Sequence, residues 1–260
     1  MSIHPTAIIG KDVELASDVS VGAFSVLQGR VRIDQGTKIE SHAVIGNPFG
    51  IVEIGKNNQI LSGAMIGGPP QDLSYTGQVT RLTIGDNNIL REFTTLNCGT
   101  VKGGAVTKIG NHCMLMAYVH IAHDCQLADH VVVANTTQFA GHVIVEDHVR
   151  IGGMVGIAQF SRLGRFAYIG GGATINKDIP PFTIADGNWA RIRATNKIGI
   201  TRAGFDKDDV SSIYRAIRFL IMGDRTVAAS IAKIKEECKP SEHINHLIHF
   251  IESSEIGIAI

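Results

Sequence analysis

An aliphatic or Phe residue recurs at every sixth position along most of this 260-residue chain, and few folds can use such a period. The marks run Ile3, Ile9, Leu15, Val21, Leu27, Ile33, Ile39 and Ile45, resume after a three-residue insertion at Ile54, Ile60 and Ile66, and again at Ile84, Leu90 and Leu96. From Ile109 they continue without a slip through Leu115, Ile121, Leu127, Val133, Phe139, Val145, Ile151, Ile157, Leu163 and Ile169 to Ile175. An amphipathic helix repeats apolar residues at three and four, and a half-buried strand at two. A step of six fits a short strand plus a corner. Three sides close an eighteen-residue triangular coil, and coils stacked at about 4.8 Å per step give a parallel β prism roughly 40 Å long. Small residues after each mark are expected to let the chain turn its corners.

Two interruptions, near residues 67–81 and 97–108, break the ruler and are expected to form loops outside the prism. After Pro180-Pro181 the hexads stop, and from Asp206 the pattern becomes helical. Asp206 caps a segment carrying Val210, Ile213, Tyr214, Ile217, Leu220 and Ile221 that Gly223 ends; Val227, Ile231 and Ile234 mark a second helix up to Cys238; Ile244, Leu247, Ile248 and Ile251 mark a third beyond Pro240. The division is residues 1–187 for the prism and 188–260 for a linker and a small C-terminal α-helical domain. That domain covers the open end of the prism or offers a partner surface.

Lys and Arg total 24 against 24 Asp and Glu, so no broad positive field favours nucleic acid as a partner. No apolar run has the ~18 residues of an integral membrane segment, and the first residues lack a targeting pattern, which predicts a cytoplasmic protein. Cys98, Cys113, Cys125 and Cys238 form no CxxC pair and read as small buried apolar side chains. Gly50 to Lys56 mimics a phosphate-binding loop, but Asn57 stands where Ser or Thr belongs and Ile54-Gly55 starts a hexad there.

Stacking makes residues eighteen apart neighbours. His123, Gly141 and Gln159 form one column and Asp124, His142 and Phe160 the next; with His120 they form an outward-facing polar patch. Histidine suits general-base work near neutral pH, and Asp124 offers an orienting acceptor. His112, His130 and His148 form another column. Stacked rungs hold their rings nearly parallel, which suits turn residues better than three convergent zinc ligands. His243, His246 and His249 drift around a helix and are not expected to share a ligand.

The string His120-Ile121-Ala122-His123-Asp124-Cys125, the step Ala140-Gly141-His142-Val143, Ile151-Gly152-Gly153-Met154, the Gln71-Asp72-Leu73 and Gly103-Gly104 loops, Asp178-Ile179-Pro180-Pro181 and Arg202-Ala203-Gly204-Phe205 resemble the acyl-[acyl carrier protein]:UDP-N-acetylglucosamine O-acyltransferases. The resemblance spans nearly the whole chain. It implies a left-handed parallel β-helix of hexapeptide repeats, a homotrimer with active sites between subunits, and the first step of lipid A biosynthesis. An (R)-3-hydroxyacyl chain would pass from the phosphopantetheine thioester of acyl carrier protein to the glucosamine 3-position of a UDP-sugar, with no metal or other cofactor. Carried over by position, His123 is the general base, Asp124 its support and the Gly141 N–H the oxyanion donor. Substrate contacts fall on Asp72, His120, His142, Gln159, Asn196 and Arg202, with Ser74 where the family carries a loop lysine, and Gly171 gauges acyl length. With Gly170 and Gly172 beside it, a long chain is expected. Ala158, Ile198 and Ala203 are further departures, at positions where the family has histidine, glutamate and arginine. A 3-amino sugar acceptor, a coenzyme A-dependent acetyltransferase and a metal-dependent trimer are the alternatives.

Overall fold

The computed structural model describes residues 2–222 and 226–260, so Gly223 lies outside the described residues. Each mark lies in a short strand, from Ser2–Ile3 to Thr174–Ile175, and ends it everywhere except at Ile66 and Leu96, where the strands run on to Gly68 and Asn97. Because side chains alternate across a strand, the mark points inward and the residue before it outward: in His120–Ile121 the isoleucine is buried and the histidine half-buried. Three sheets of eleven, nine and eight strands run along the chain. Ser2 pairs with Ser20, Met114 with Val132 and His120 with Gln138, the eighteen-residue register. The insertions are absorbed without losing phase: Lys38 faces Gln59, Met65 faces Thr95, and Thr83 faces Lys108. The core is a set of vertical ladders such as Leu96, Ile121, Phe139 and Ile157, each 3% exposed or less. Burying each such side chain contributes about 1.5–3 kcal/mol. The chain is a left-handed parallel β-helix with a small C-terminal helical region.

The corners differ from expectation. Small residues directly after a mark do face a close approach: a Cβ on Gly22 would lie 2.5 Å from Ser41 N, and one on Gly152 2.6 Å from Gly171 N. The turn itself falls two residues later, at a side chain held in the left-handed region, as at Phe24, His112, Tyr118, Asp124, His142 and Phe166 (φ 55–62°). Such a conformation costs a non-glycine residue about 1–3 kcal/mol, and the hydrogen-bonded coils on either side impose it. Corner side chains therefore stack. The His112 and His130 rings lie 5.0 Å apart, His130 and His148 4.6 Å, and His148 and Phe166 4.7 Å, all within 9° of parallel, as turn residues rather than convergent ligands.

At the C-terminal end an antiparallel hairpin, Thr183–Asp186 with Arg191–Thr195, follows the last coil and has no hexad signature. The helices are α1 (Lys197–Arg202), α2 (Lys207–Ile221), α3 (Val227–Glu237) and α4 (Glu242–Glu252), of which α1 was not anticipated. Asp206, Thr226 and Ser241 cap α2, α3 and α4 by accepting an N–H three residues on. Ile213, Ile217, Ile234 and Leu247 bury themselves with Phe182 and Ile192 of the hairpin region, so the helical domain covers this end of the prism. Arg162 ties the two parts, donating to the Phe250 carbonyl at 2.7 Å. His243 stacks on Phe205 while His246 bonds Glu146, so the α4 histidines part company. At the other end Ile3 is 37% exposed, in a strand at the edge of its sheet.

The phosphate-loop mimic is a strand, Ile51–Ile54, paired to Arg81–Ile84 and followed by another hexad. All four cysteines are free and buried; burial pushes Cys98 and Cys113 up to about 11 and Cys125 up to about 12. Among the described residues no helix is long and apolar enough to cross a membrane.

Candidate active site

Strand His120–Ile121 sets His120 on an outer sheet face, and the chain then bends so that His123 and Asp124 stand at the next corner, Asp124 with φ 61°. One coil on, the same corner supplies Gly141 and His142, and the coil after that Gln159 and Phe160. His120, His123, Gly141 and Gln159 line one open cleft together with Gly156 and with Gln71 from the first loop. His123 Nδ1 lies 2.8 Å from Asp124 Oδ2. The Gly141 N–H takes no part in the hydrogen bonding among the described residues, whereas the next N–H, of His142, donates to the His123 carbonyl at 3.1 Å. His123 and Gly141, whose N–H is uncommitted, thus line one cleft.

The patch is less open than its sequence pattern implied. His123 is 5% and Asp124 3% exposed, and the second loop folds back over Asp124. Thr100 donates its N–H to Asp124 Oδ1 at 2.8 Å and its hydroxyl to Oδ2 at 2.6 Å, while Asp124 N–H donates to Thr107 Oγ1. The loop glycines permit this contact: a Cβ on Gly99 would lie 2.8 Å from Asp124 Oδ1, and one on Gly103 would run into the carboxylate. His142 stacks on Phe160 at 4.7 Å, meets the His123 ring edge-on at 5.1 Å, and brings Nε2 to 3.7 Å from Asp124 Oδ2. His120 Nδ1 lies 2.7 Å from Thr95 Oγ1; burial, with the neighbouring His123, holds its pKa below the usual 6.5.

Ligand atoms of His123, Asp124 and His142 lie within 4.8 Å of one another, a spacing that could admit a cation. Both Asp124 oxygens already accept hydrogen bonds, so the trio fits a proton-handling network better than a coordination sphere.

In the first loop Asp72 accepts the Ser74 N–H at 2.7 Å, and bonds from Ser74, helped by the charges of Lys102 and His123, hold its carboxyl below the usual range. Asn47 and Asn97 pin the start of this loop by donating to the Gly67 and Pro69 carbonyls. Two expected residues lie elsewhere. Asn196 and Arg202 line a separate cleft with Val132, Arg150 and Tyr168, on a different sheet from His120. Asn196 is already engaged, capping α1 through Gly199 N–H and donating to the Phe166 carbonyl. Gly171 is exposed at another corner, where an added Cβ would meet only Gly153, at 3.4 Å. Thr100 and Gly156 were not anticipated. Thr100 sits 24 residues before its partner, because the loop insertion shifts the register, and no column reading reaches it.

A family model described as UDP N-acetylglucosamine O-acyltransferase, domain 2, matches residues 178–259, and one described as bacterial transferase hexapeptide (six repeats) matches residues 107–141. The acyl-[acyl-carrier-protein]–UDP-N-acetylglucosamine O-acyltransferase of Xanthomonas euvesicatoria pv. vesicatoria is 44% identical over 97% of this chain and 95% of its own. That of Xylella fastidiosa is 44% identical over the same shares. Among solved structures, LpxA from Acinetobacter baumannii superposes with a TM-score of 0.94 at 41% identity, covering 99% of both chains. The UDP-N-acetylglucosamine acyltransferase of Campylobacter jejuni gives 0.91 at 36% identity, covering 100% of this chain and 99% of its own.

Proposed function

The chain belongs to the acyl-[acyl-carrier-protein]–UDP-N-acetylglucosamine O-acyltransferase family, and from that premise we propose how it performs the transfer. It moves an (R)-3-hydroxyacyl chain from acyl carrier protein to the 3-hydroxyl of UDP-N-acetylglucosamine, the first step of lipid A biosynthesis. The observation that carries the mechanism is His123, one ring nitrogen tied to a buried carboxylate and the ring facing a cleft beside an uncommitted N–H.

A sugar hydroxyl attacks poorly until its proton leaves. His123 Nε2 takes that proton as the C–O bond forms, and Asp124 supports the resulting imidazolium. The Gly141 N–H receives the developing oxyanion. Collapse breaks the C–S bond; the thiolate, of ordinary thiol pKa about 8.5, leaves far more readily than an alkoxide and takes the proton back from His123. These steps call on no metal or further cofactor. His120, His142, Gln159, Asp72 and Ser74 hold the sugar and its nucleotide, and the acyl chain runs outside the prism toward Gly171.

The site is completed in a homotrimer. Supporting this, the Arg202 cleft and the His123 cleft lie on different sheets, so a UDP-sugar spanning both needs two chains. Arg202 then pairs with a phosphate. Four unpaired cysteines suit the reducing cytoplasm. The decisive assay offers UDP-N-acetylglucosamine and its 3-amino analogue to the enzyme with acyl carrier proteins bearing chains of graded length. Ester formation with long 3-hydroxyacyl donors is expected; amide formation alone, or turnover only with short acyl-coenzyme A, overturns the assignment.

A further inference from the structure

Asp124 has two imidazoles within reach. Its Oδ2 lies 2.8 Å from His123 Nδ1 and 3.7 Å from His142 Nε2, so a modest rotation of the carboxylate would exchange one partner for the other. What opposes that rotation is Thr100. The Thr100 N–H fixes Oδ1 at 2.8 Å and its hydroxyl fixes Oδ2 at 2.6 Å, a two-point grip on one carboxylate by one residue. The direction of the hydroxyl is itself set. Its oxygen accepts the Gly103 N–H at 3.2 Å, and its single proton is then directed to Asp124. An ionised carboxylate offers only acceptors, and both oxygens of this one already receive protons from Thr100. The imidazole nitrogen facing it must carry the proton, which leaves the lone pair of His123 on Nε2.

We propose that Thr100 is a positioning residue for the transfer: it aims the Asp124 carboxylate at His123 in preference to His142, and so keeps His123 in the tautomer whose Nε2 can accept a proton. The inference deepens the mechanism above and rests on His123 being the base. It also gives the second loop a task. Gly99 and Gly103 let the loop backbone reach the carboxylate, and the short 3-10 turn Val101–Gly103 that Thr100 caps presents the hydroxyl.

The test compares Thr100→Val, which keeps the shape and loses the hydroxyl, with Thr100→Ser, which keeps the hydroxyl and loses the methyl group. A misaimed orienting group costs on the order of 10- to 100-fold in rate. Thr100→Val is expected to lose about that much in kcat, with the KM for the UDP-sugar unchanged within about twofold, and Thr100→Ser is expected to restore most of it. Long-range ¹H–¹⁵N spectra of the histidine rings provide a readout apart from turnover: His123 should be protonated on Nδ1 in the parent enzyme and divided between tautomers in Thr100→Val. Full activity in Thr100→Val, or equal loss in both variants, overturns the proposal. So does an Nε2-protonated His123 in the parent enzyme, a result that needs no variant to fold. If His123→Ala is inactive while Thr100→Val is not, this inference alone fails; if His123→Ala remains active, the base assignment falls with it.

Discussion

His123 and Gly141 stand one coil apart, so close that a Cβ at position 141 would lie 2.5 Å from His123 Cε1 and 2.9 Å from each ring nitrogen. Glycine is required there by the neighbouring ring, since Gly141 does not occupy the left-handed region. Gly141→Ala retains the backbone N–H but must displace the imidazole. We expect kcat to fall about 100-fold with only a small change in Tm, measured by turnover and thermal melting on the same preparation.

His123→Ala should fold and lose nearly all transfer, about 10²- to 10⁴-fold. A stability cost accompanies it, because the ring is buried and bonded to Asp124. Removing a hydrogen bond to a buried charge costs about 1–3 kcal/mol. Denaturant titration should show a loss of that size, while wild-type turnover in this variant would exclude the imidazole as base.

Stability should weaken as pH falls below about 6.5, the ordinary histidine value. Burial holds both His120 and His148 below that value in the folded chain, and for His148 the adjacent His130 adds to the effect. Between the unfolded and the lowered folded pKa the unfolded chain binds more protons, so stability rises with pH through that window and is lost as pH drops through it. His148→Asn keeps a residue that tolerates φ 60° and removes one of these groups. Its melting temperature should vary less between pH 7 and pH 5 than that of the parent, although the lost ring stacking costs about 0.5–1.5 kcal/mol at neutral pH. An equal pH dependence in the two proteins would count against the imidazole ladder as its source.

Gly171→Met tests the acyl groove. The position is exposed and its nearest obstacle is the Gly153 backbone at 3.4 Å, so the side chain can be added without unfolding the coil. We expect the preferred donor to shorten by several carbons in competition assays with mixed acyl carrier proteins. An unchanged preference would move the acyl chain to another face.

Much of this was legible because a six-residue step leaves almost no freedom: once Ile121 points inward, His120 points outward, and Gly141 must stand above His123. The α2 to α4 pattern was legible from apolar spacing and from Asp206. What escaped has physical reasons. The corners carry Phe, His and Tyr at positive φ, a conformation imposed by stacked coils against the residues' own preference. The hairpin and α1 are held by Phe182 and Ile192 packing on the helices, contacts with no period. Thr100 is joined to Asp124 across an insertion, where vertical register gives no guidance. The burial of Asp124 has the same origin, since the loop that covers it leaves and re-enters the prism.

The two ends of the prism are not equivalent. One is roofed by the hairpin and helices, while at the other Ile3 remains 37% exposed and the first strands, Ser2–Ile3, Ile8–Ile9 and Val13–Leu15, each have a neighbour on one side only. In a solenoid whose layers touch only adjacent layers, cooperativity runs along a line. The strand that leads into His123 is paired on both sides, to Thr95 and to Gln138, so its corner cannot move without breaking the coils above and below it. The catalytic corner is thus clamped from two directions by its neighbouring layers in addition to its own bonds.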